Sequence, residues 1–388
     1  MKTPWELLKE SKTKIKTTWR IAFVSALVLG LLIHLPVMLS DIPNHDGLSS
    51  MYFDQNMITS GRWFLTVACG FSSYFTIPWV IGLIGLIWLA LTAAVLTEVL
   101  ELTDPVTITV VSGLLVSFPA LASTFAYVFT MDGYMLALFL AVLAVLFTAK
   151  YPRGYLAGAV CLAFSMGIYQ AYLPFTILLC VYKILLYFME EKGWKEKAKY
   201  VCRYLGMGIA GGVLYYVILQ ILLKLQGKVL DTYQGINSME QMGSGMGILA
   251  TIKEMYVDFL AFTVHGNVLV NNIFSLAACI ILVATVVFLV IRSMIWRKWW
   301  KNPAFFVIMI LLGISMPLLT NVILLISPNL TYHLLMRYQW VLYLILMTAF
   351  ADRYTAEESR TDVVLQWAAL CAAVVLVFDY GISDNIGY

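Results

Sequence analysis

The sequence predicts an all-α integral membrane protein of about eleven transmembrane helices, with short amphipathic helices at one interface. Three observations predict it. Of 388 residues, 61% are hydrophobic and only 12% charged, where a soluble domain has about 45–50% apolar and about 25% charged residues. The apolar residues lie in continuous runs of roughly 18–22, the length at which a helix crosses about 30 Å of hydrocarbon; a membrane barrel would show short alternating segments instead. Lysine and arginine concentrate in alternate connections between the runs, as membrane topology demands.

The first run, 18–39, follows a basic segment but is too long for a signal-peptide core and ends without a small-residue cleavage site. It is read as a retained span. Further spans follow at 78–99, 106–124, 133–149, 154–169, 172–189, 205–225, 271–291, 304–326, 338–351 and 363–379. Gly154/Gly158 and Gly208/Gly212 have the small-xxx-small spacing of close helix contacts. Lys183, near one end of its span, can snorkel. Between the seventh and eighth spans, "ILATIKEMYVDFLAF" carries apolar residues at 248, 249, 252, 255, 256, 259 and 260, the pattern of a helix lying in the interface. The chain 1–388 reads as one polytopic domain with no internal repeat.

With the N-terminus in the cytoplasm, nineteen of the 25 Lys and Arg residues fall on the inner side and five on the outer, with Lys183 inside a span. That asymmetry sets the orientation. The acidic inner turn around Glu98, Glu101 and Asp104 neither supports nor opposes it. The net charge of +3 requires no nucleic-acid partner, and the six cysteines form no CxxC pair, so neither a disulfide framework nor a metal site is implied.

Polar residues gather on the outer side. The stretch "DIPNHDGLSSMYFDQNMITSGRWF" (41–64) starts as a turn with Asp41, Asn44, His45 and Asp46 and becomes an amphipathic helix whose polar stripe includes Arg62. Asp132 opens the fourth span, Tyr169 and Gln170 form the tight turn before the sixth, and His333 and Arg337 precede the tenth. Polar groups at membrane depth usually face a cavity or one another. Each also has a plainer role: a helix cap for Asp132, an aromatic-belt position for Tyr169, an interfacial place for His333, and snorkelling for Arg337. Span centres lack the chain of ionisable groups that a coupled transporter would need.

"IPNHDG", then "GRWF", then "IYQAYLP" in a later tight turn resemble the bacterial membrane glucosyltransferases of the O-antigen-modifying type, within the C-type glycosyltransferases. The resemblance implies a multi-pass enzyme of the bacterial cytoplasmic membrane with an extracytoplasmic site. It implies a polyprenyl-phosphate sugar as donor, transfer of a hexose of the glucose type, and a cell-surface glycan as acceptor. Asp46 matches the family's acidic position, Arg62 the Gly-Arg of "GRW", and Tyr169–Gln170 the later turn. Many relatives show two adjacent acids where this chain has His45–Asp46, and some continue into a further extracytoplasmic region beyond the point where this sequence ends.

The chemistry then has three requirements. A carboxylate, Asp46, takes the proton of the acceptor hydroxyl. Arginines, Arg62 and Arg337, take up the charge of the departing phosphate. Asp41, Asn44, His45, Asp132, Tyr169, Gln170 and His333 are candidates to hold the substrates. One base acting through the acceptor implies inversion, and no cofactor is expected. A lipid-linked sugar flippase and a membrane scaffold remain the alternative readings.

Overall fold

The computed structural model describes residues 2–40, 58–70, 77–230, 247–298, 303–327, 330–355 and 359–387, and these residues form helices and turns without a strand. The helices are α1 (Pro4–Lys14), α2 (Thr17–Leu39), α3 (Leu65–Ala68), α4 (Pro78–Leu100), α5 (Pro105–Ser117), α6 (Pro119–Phe125), α7 (Met131–Lys150) and α8 (Gly154–Ile168). They continue as α9 (Leu173–Phe188), α10 (Trp194–Gln226), α11 (Ile248–Leu260), α12 (Ile273–Trp296), α13 (Pro303–Thr320), α14 (Val322–Ile326), α15 (Val341–Tyr354) and α16 (Arg360–Gly387). Short 3₁₀ turns at Val128–Thr130, Gln170–Tyr172 and Leu334–Trp340 lead into α7, α9 and α15.

Among the described residues, eight helices are long and apolar enough to cross a membrane, and the bent pair α5–α6 raises this to nine. The segments expected at 154–169 and 304–326 are helical but shorter, at Gly154–Ile168 and Ala304–Thr320. Length and composition therefore carry eight or nine spans on their own, against the eleven expected. α4, α7, α9 and α15 form the buried centre, while α2, α10, α12 and α16 turn much of their surface outward. That outward surface is apolar, as with Ile209 and Val213 on α10 and Ile280 and Val287 on α12, and suits contact with lipid.

The break between α5 and α6 bends the pair by 47°. Pro119 has no N–H, so the Leu115 carbonyl loses its helical partner. The Tyr338 hydroxyl donates to that carbonyl instead. The Val116 carbonyl accepts from His34 Nε2 at 2.8 Å, and the His34 ring stacks on Phe125 at 4.6 Å. Unsatisfied backbone in hydrocarbon costs several kcal/mol per group, so these two side chains make the break tolerable.

Glycine spacing is met on one helix and displaced on another. A Cβ on Gly158 would lie 2.7 Å from the Ala144 carbonyl and 3.1 Å from Met207 Sδ, so α8 packs closely on α7 and α10. Gly208 and Gly212 face open space; the close contact on α10 belongs to Gly211, where a Cβ would lie 3.1 Å from the Ala159 carbonyl. The inward stripe of α10 runs through Tyr204, Met207, Gly211, Leu219 and Leu223, and Gly208 and Gly212 fall beside it.

The two ends of the bundle differ in chemistry. At one end, Glu98 accepts from Lys16 (2.6 Å), Lys150 (2.8 Å) and Trp19 Nε1 (3.0 Å). Glu101 accepts from Lys183 (2.6 Å) and Arg353 (2.8 Å), and Asp104 caps α5 through the Thr107 amide at 2.7 Å. Arg292 pairs with Asp362. The acidic turn is thus the hub that gathers the basic ends of α2, α7, α9 and α15. The other end, about 30 Å away along the 20 residues of α7, carries the second arginine chemistry.

Candidate functional site

Arg62 does not lie on the polar stripe of a helix as the sequence suggested: residues 58–64 form a turn, helix begins only at Leu65, and this turn carrying "GRWF" is held from three sides. Gly61 has φ +80°, a conformation that costs other residues strain. Two residues on, the Trp63 ring fills a notch at Gly167, where a Cβ would lie 2.6 Å from the indole. The Phe64 amide donates to the Gly167 carbonyl at 2.7 Å, and Phe164 packs edge-on against Trp63 (5.2 Å) and Phe64 (4.7 Å). Then α3 closes onto the start of α7, so tightly that a Cβ on Gly133 would meet Cys69 Sγ at 2.4 Å.

Arg62 projects from this turn onto a tyrosine stack. Its guanidinium lies 5.2 Å from the centre of the Tyr169 ring, and Nη1 donates to the Tyr134 hydroxyl at 3.3 Å. Tyr134 and Tyr169 stack at 4.2 Å and 12°. The aromatic faces hold the cation by about 0.5–2 kcal/mol without neutralising it. Arg62 Nε is buried with no hydrogen-bond partner, and no carboxylate pairs with Arg62 among the described residues. A buried donor without an acceptor is costly and rare. The geometry suits an anionic oxygen arriving from outside the protein.

From the same stack a ladder of rings runs across this end: Tyr169 to Tyr172 at 5.3 Å, then Tyr172 to Tyr338 at 6.3 Å. Beside Tyr338 lies the second arginine. Arg337 donates from both terminal nitrogens to Asp258 of α11, each at 2.7 Å. Its plane sits 3.8 Å from the centre of the Tyr332 ring and 4.7 Å from that of Phe262. Asn321 Nδ2 donates to Asp258 (3.0 Å) and to the Met255 carbonyl (2.9 Å); Gln339 Nε2 donates to the Thr320 carbonyl (3.0 Å) and Tyr332 hydroxyl (2.7 Å). This network fastens α11 to the segment before α15. A phosphate role for Arg337 would require its pair with Asp258 to open.

The remaining expected residues fall as follows. Asp132 is buried in the first turn of α7, where its Oδ1 accepts from the Gly133 amide at 2.9 Å. Gln170 spends its amide hydrogens inside the protein, on the Ser60 carbonyl (3.2 Å) and Tyr215 hydroxyl (2.9 Å). His333 is exposed at the start of Leu334–Trp340. Asp41, Asn44, His45 and Asp46 lie outside the described residues. Among the described residues no group of three or more His, Cys, Asp or Glu could hold a metal ion.

Sequence reading missed Tyr134, Tyr215 and Asp258. Asp258 had a signal, an acid four residues after Glu254 on the polar face of "ILATIKEMYVDFLAF". Tyr134 and Tyr215 had none, since a tyrosine in an apolar run looks like any other ring.

A family model described as Glucosyl transferase GtrII matches residues 35–351. No curated protein and no solved structure gives a significant match.

Proposed function

This chain belongs to the glucosyl transferase GtrII family, and on that premise we propose that it moves glucose from a polyprenyl-phosphate donor to a cell-surface glycan. The observation that carries the donor reading is Arg62: a half-buried guanidinium on a tyrosine stack, with a free Nε, at one end of a membrane bundle. A lipid phosphate sits at that depth, with its prenyl tail in the hydrocarbon.

In the proposed step the acceptor hydroxyl oxygen attacks the anomeric carbon as the bond from that carbon to the phosphate oxygen breaks. The acceptor proton passes to the Asp46 carboxylate, and the phosphate departs with the electron pair. Arg62 takes up the charge that grows on it. Attack opposite the leaving group inverts the anomeric centre. The step draws on no cofactor. The Lys and Arg bias, which favours the opposite, cation-rich end as the inner one, supports a reaction outside the cytoplasm.

The test uses the purified full chain in detergent with surface polysaccharide as acceptor. Radiolabelled polyprenyl-phosphate glucose should label the polysaccharide, and UDP-glucose should not. Labelling from UDP-glucose alone would overturn the donor assignment. In intact cells, an impermeant maleimide should reach a Ser49→Cys variant and spare Lys195→Cys; the reverse pattern would place the site in the cytoplasm.

A further inference from the structure

We propose that Tyr215 and Gln170 are positioning residues for Arg62, forming a hydrogen-bonded clasp from α10 and the turn before α9 that orients the peptide from which Arg62 projects. The proposal rests on the reading of Arg62 as the ligand of the donor phosphate.

The clasp takes hold of the backbone on the N-terminal side of Arg62. Tyr215 donates its hydroxyl hydrogen to the Gly61 carbonyl at 3.0 Å. That carbonyl belongs to the peptide unit joining Gly61 to Arg62, so the bond fixes the plane of the unit. The same hydroxyl oxygen accepts from Gln170 Nε2 at 2.9 Å, and Gln170 Nε2 also donates to the Ser60 carbonyl at 3.2 Å. Beyond Arg62, the Phe64 amide is held by the Gly167 carbonyl and the Trp63 ring is locked in the Gly167 notch.

Two consecutive carbonyls before Arg62 and one amide after it are therefore pinned. The pins come from α8, α10 and the turn between α8 and α9. Gly61 makes the clasp necessary: at φ +80° a glycine has wide freedom, and without an external hold its carbonyl can rotate. Arg62 itself keeps an unpartnered Nε. A charge-stabilising donor acts well when its orientation is set before the substrate arrives, and small displacements of such groups cost large factors in rate.

The phenol ring of Tyr215 packs in the small cluster of Trp63, Leu219 and Leu223, so Tyr215→Phe keeps the packing and removes one hydroxyl. The experiment measures kcat, KM for polyprenyl-phosphate glucose and the melting temperature of four proteins: wild type, Tyr215→Phe, Arg62→Ala and the double variant. Tyr215→Phe should lower kcat about tenfold, since it displaces a group that acts in the transition state, and leave KM nearly unchanged. It should cost nothing further in the Arg62→Ala background. Gln170→Leu, which removes both amide donations, should behave in the same non-additive way, and it decides the matter if Tyr215→Phe lowers the melting temperature. Wild-type turnover in both clasp variants would overturn the proposal. So would an equal fold-loss with and without Arg62. If Arg62→Ala itself transfers glucose at the wild-type rate, the reading of Arg62 fails and the clasp role falls with it.

Discussion

Arginine is treated in opposite ways at the two ends of this bundle. At the cation-rich end, Lys16 and Lys150 share Glu98, Lys183 and Arg353 share Glu101, and Arg292 has Asp362. In these pairs each charge is met by another charge within the protein. At the other end, among the described residues, Arg62 is met by tyrosines and keeps an open donor at Nε. Rings hold a guanidinium in place and leave its charge available, whereas a carboxylate spends it. Arg337 shows that location alone does not decide the matter, since it lies on the same side as Arg62 and is engaged by Asp258.

The sharpest way to break this comparison is to remove the acid proposed as the base. Asp46→Asn keeps size and removes the base, and turnover should fall at least about a hundredfold with expression unchanged. If Asp46→Asn transfers normally and Asp41→Asn does not, the base is the other acid.

Next in size is Arg62. Arg62→Ala should raise the barrier by about 2–4 kcal/mol, the cost of one lost charge-stabilising donor, and Arg62→Lys should cost less because it keeps the charge and loses the fork. A melting curve beside the turnover assay separates this from unfolding.

For the paired arginine the effect should appear in stability. Asp258→Ala should lower stability by roughly 2 kcal/mol, less than the 3–5 kcal/mol of a fully buried pair, because the Asp258 side chain is 23% exposed. Removing Arg337 as well should restore part of the loss. If Arg337→Ala instead melts normally and loses turnover as Arg62→Ala does, Arg337 belongs with Arg62 and the contrast between them fails.

The smallest effect belongs to the closed end. Burial raises the Glu101 carboxyl, but Lys183 and Arg353 outweigh it and hold it below its usual value of 4.5. A carboxyl depressed in the folded state contributes stability above 4.5, and that contribution is lost as pH falls through its lower folded value. Glu101→Gln should therefore reduce stability slightly at neutral pH and make no difference in strong acid. The gain is small because Glu101 is half exposed. Acid unfolding followed by circular dichroism checks it; an equal deficit at both pH values would show that Glu101 acts through packing.

By itself the sequence determined the class and the helices. Continuous apolar runs have only one way to bury their backbone polar groups in lipid, so α2, α4, α7, α9, α10, α12, α15 and α16 were legible from composition and length. "GRWF" and "IYQAY" were legible as the place where polar groups gather, and the structure brings Arg62 and Tyr169 into contact. What only the tertiary structure decided is which partner each polar group takes. Glu98 and Glu101 lie in a turn that looked neutral, yet their cations arrive from residues 82 and 252 positions away, as with Lys183 and Arg353 on Glu101. Asp258 finds Arg337 across 79 residues, and Tyr215 finds Gly61 across 154. Periodicity places a residue on a helix face, but the rotation of that helix against its neighbours decides what the face meets. Gly211 rather than Gly208 or Gly212 makes the close contact on α10 for the same reason: the inward stripe follows the packing of α8, a constraint no local spacing contains.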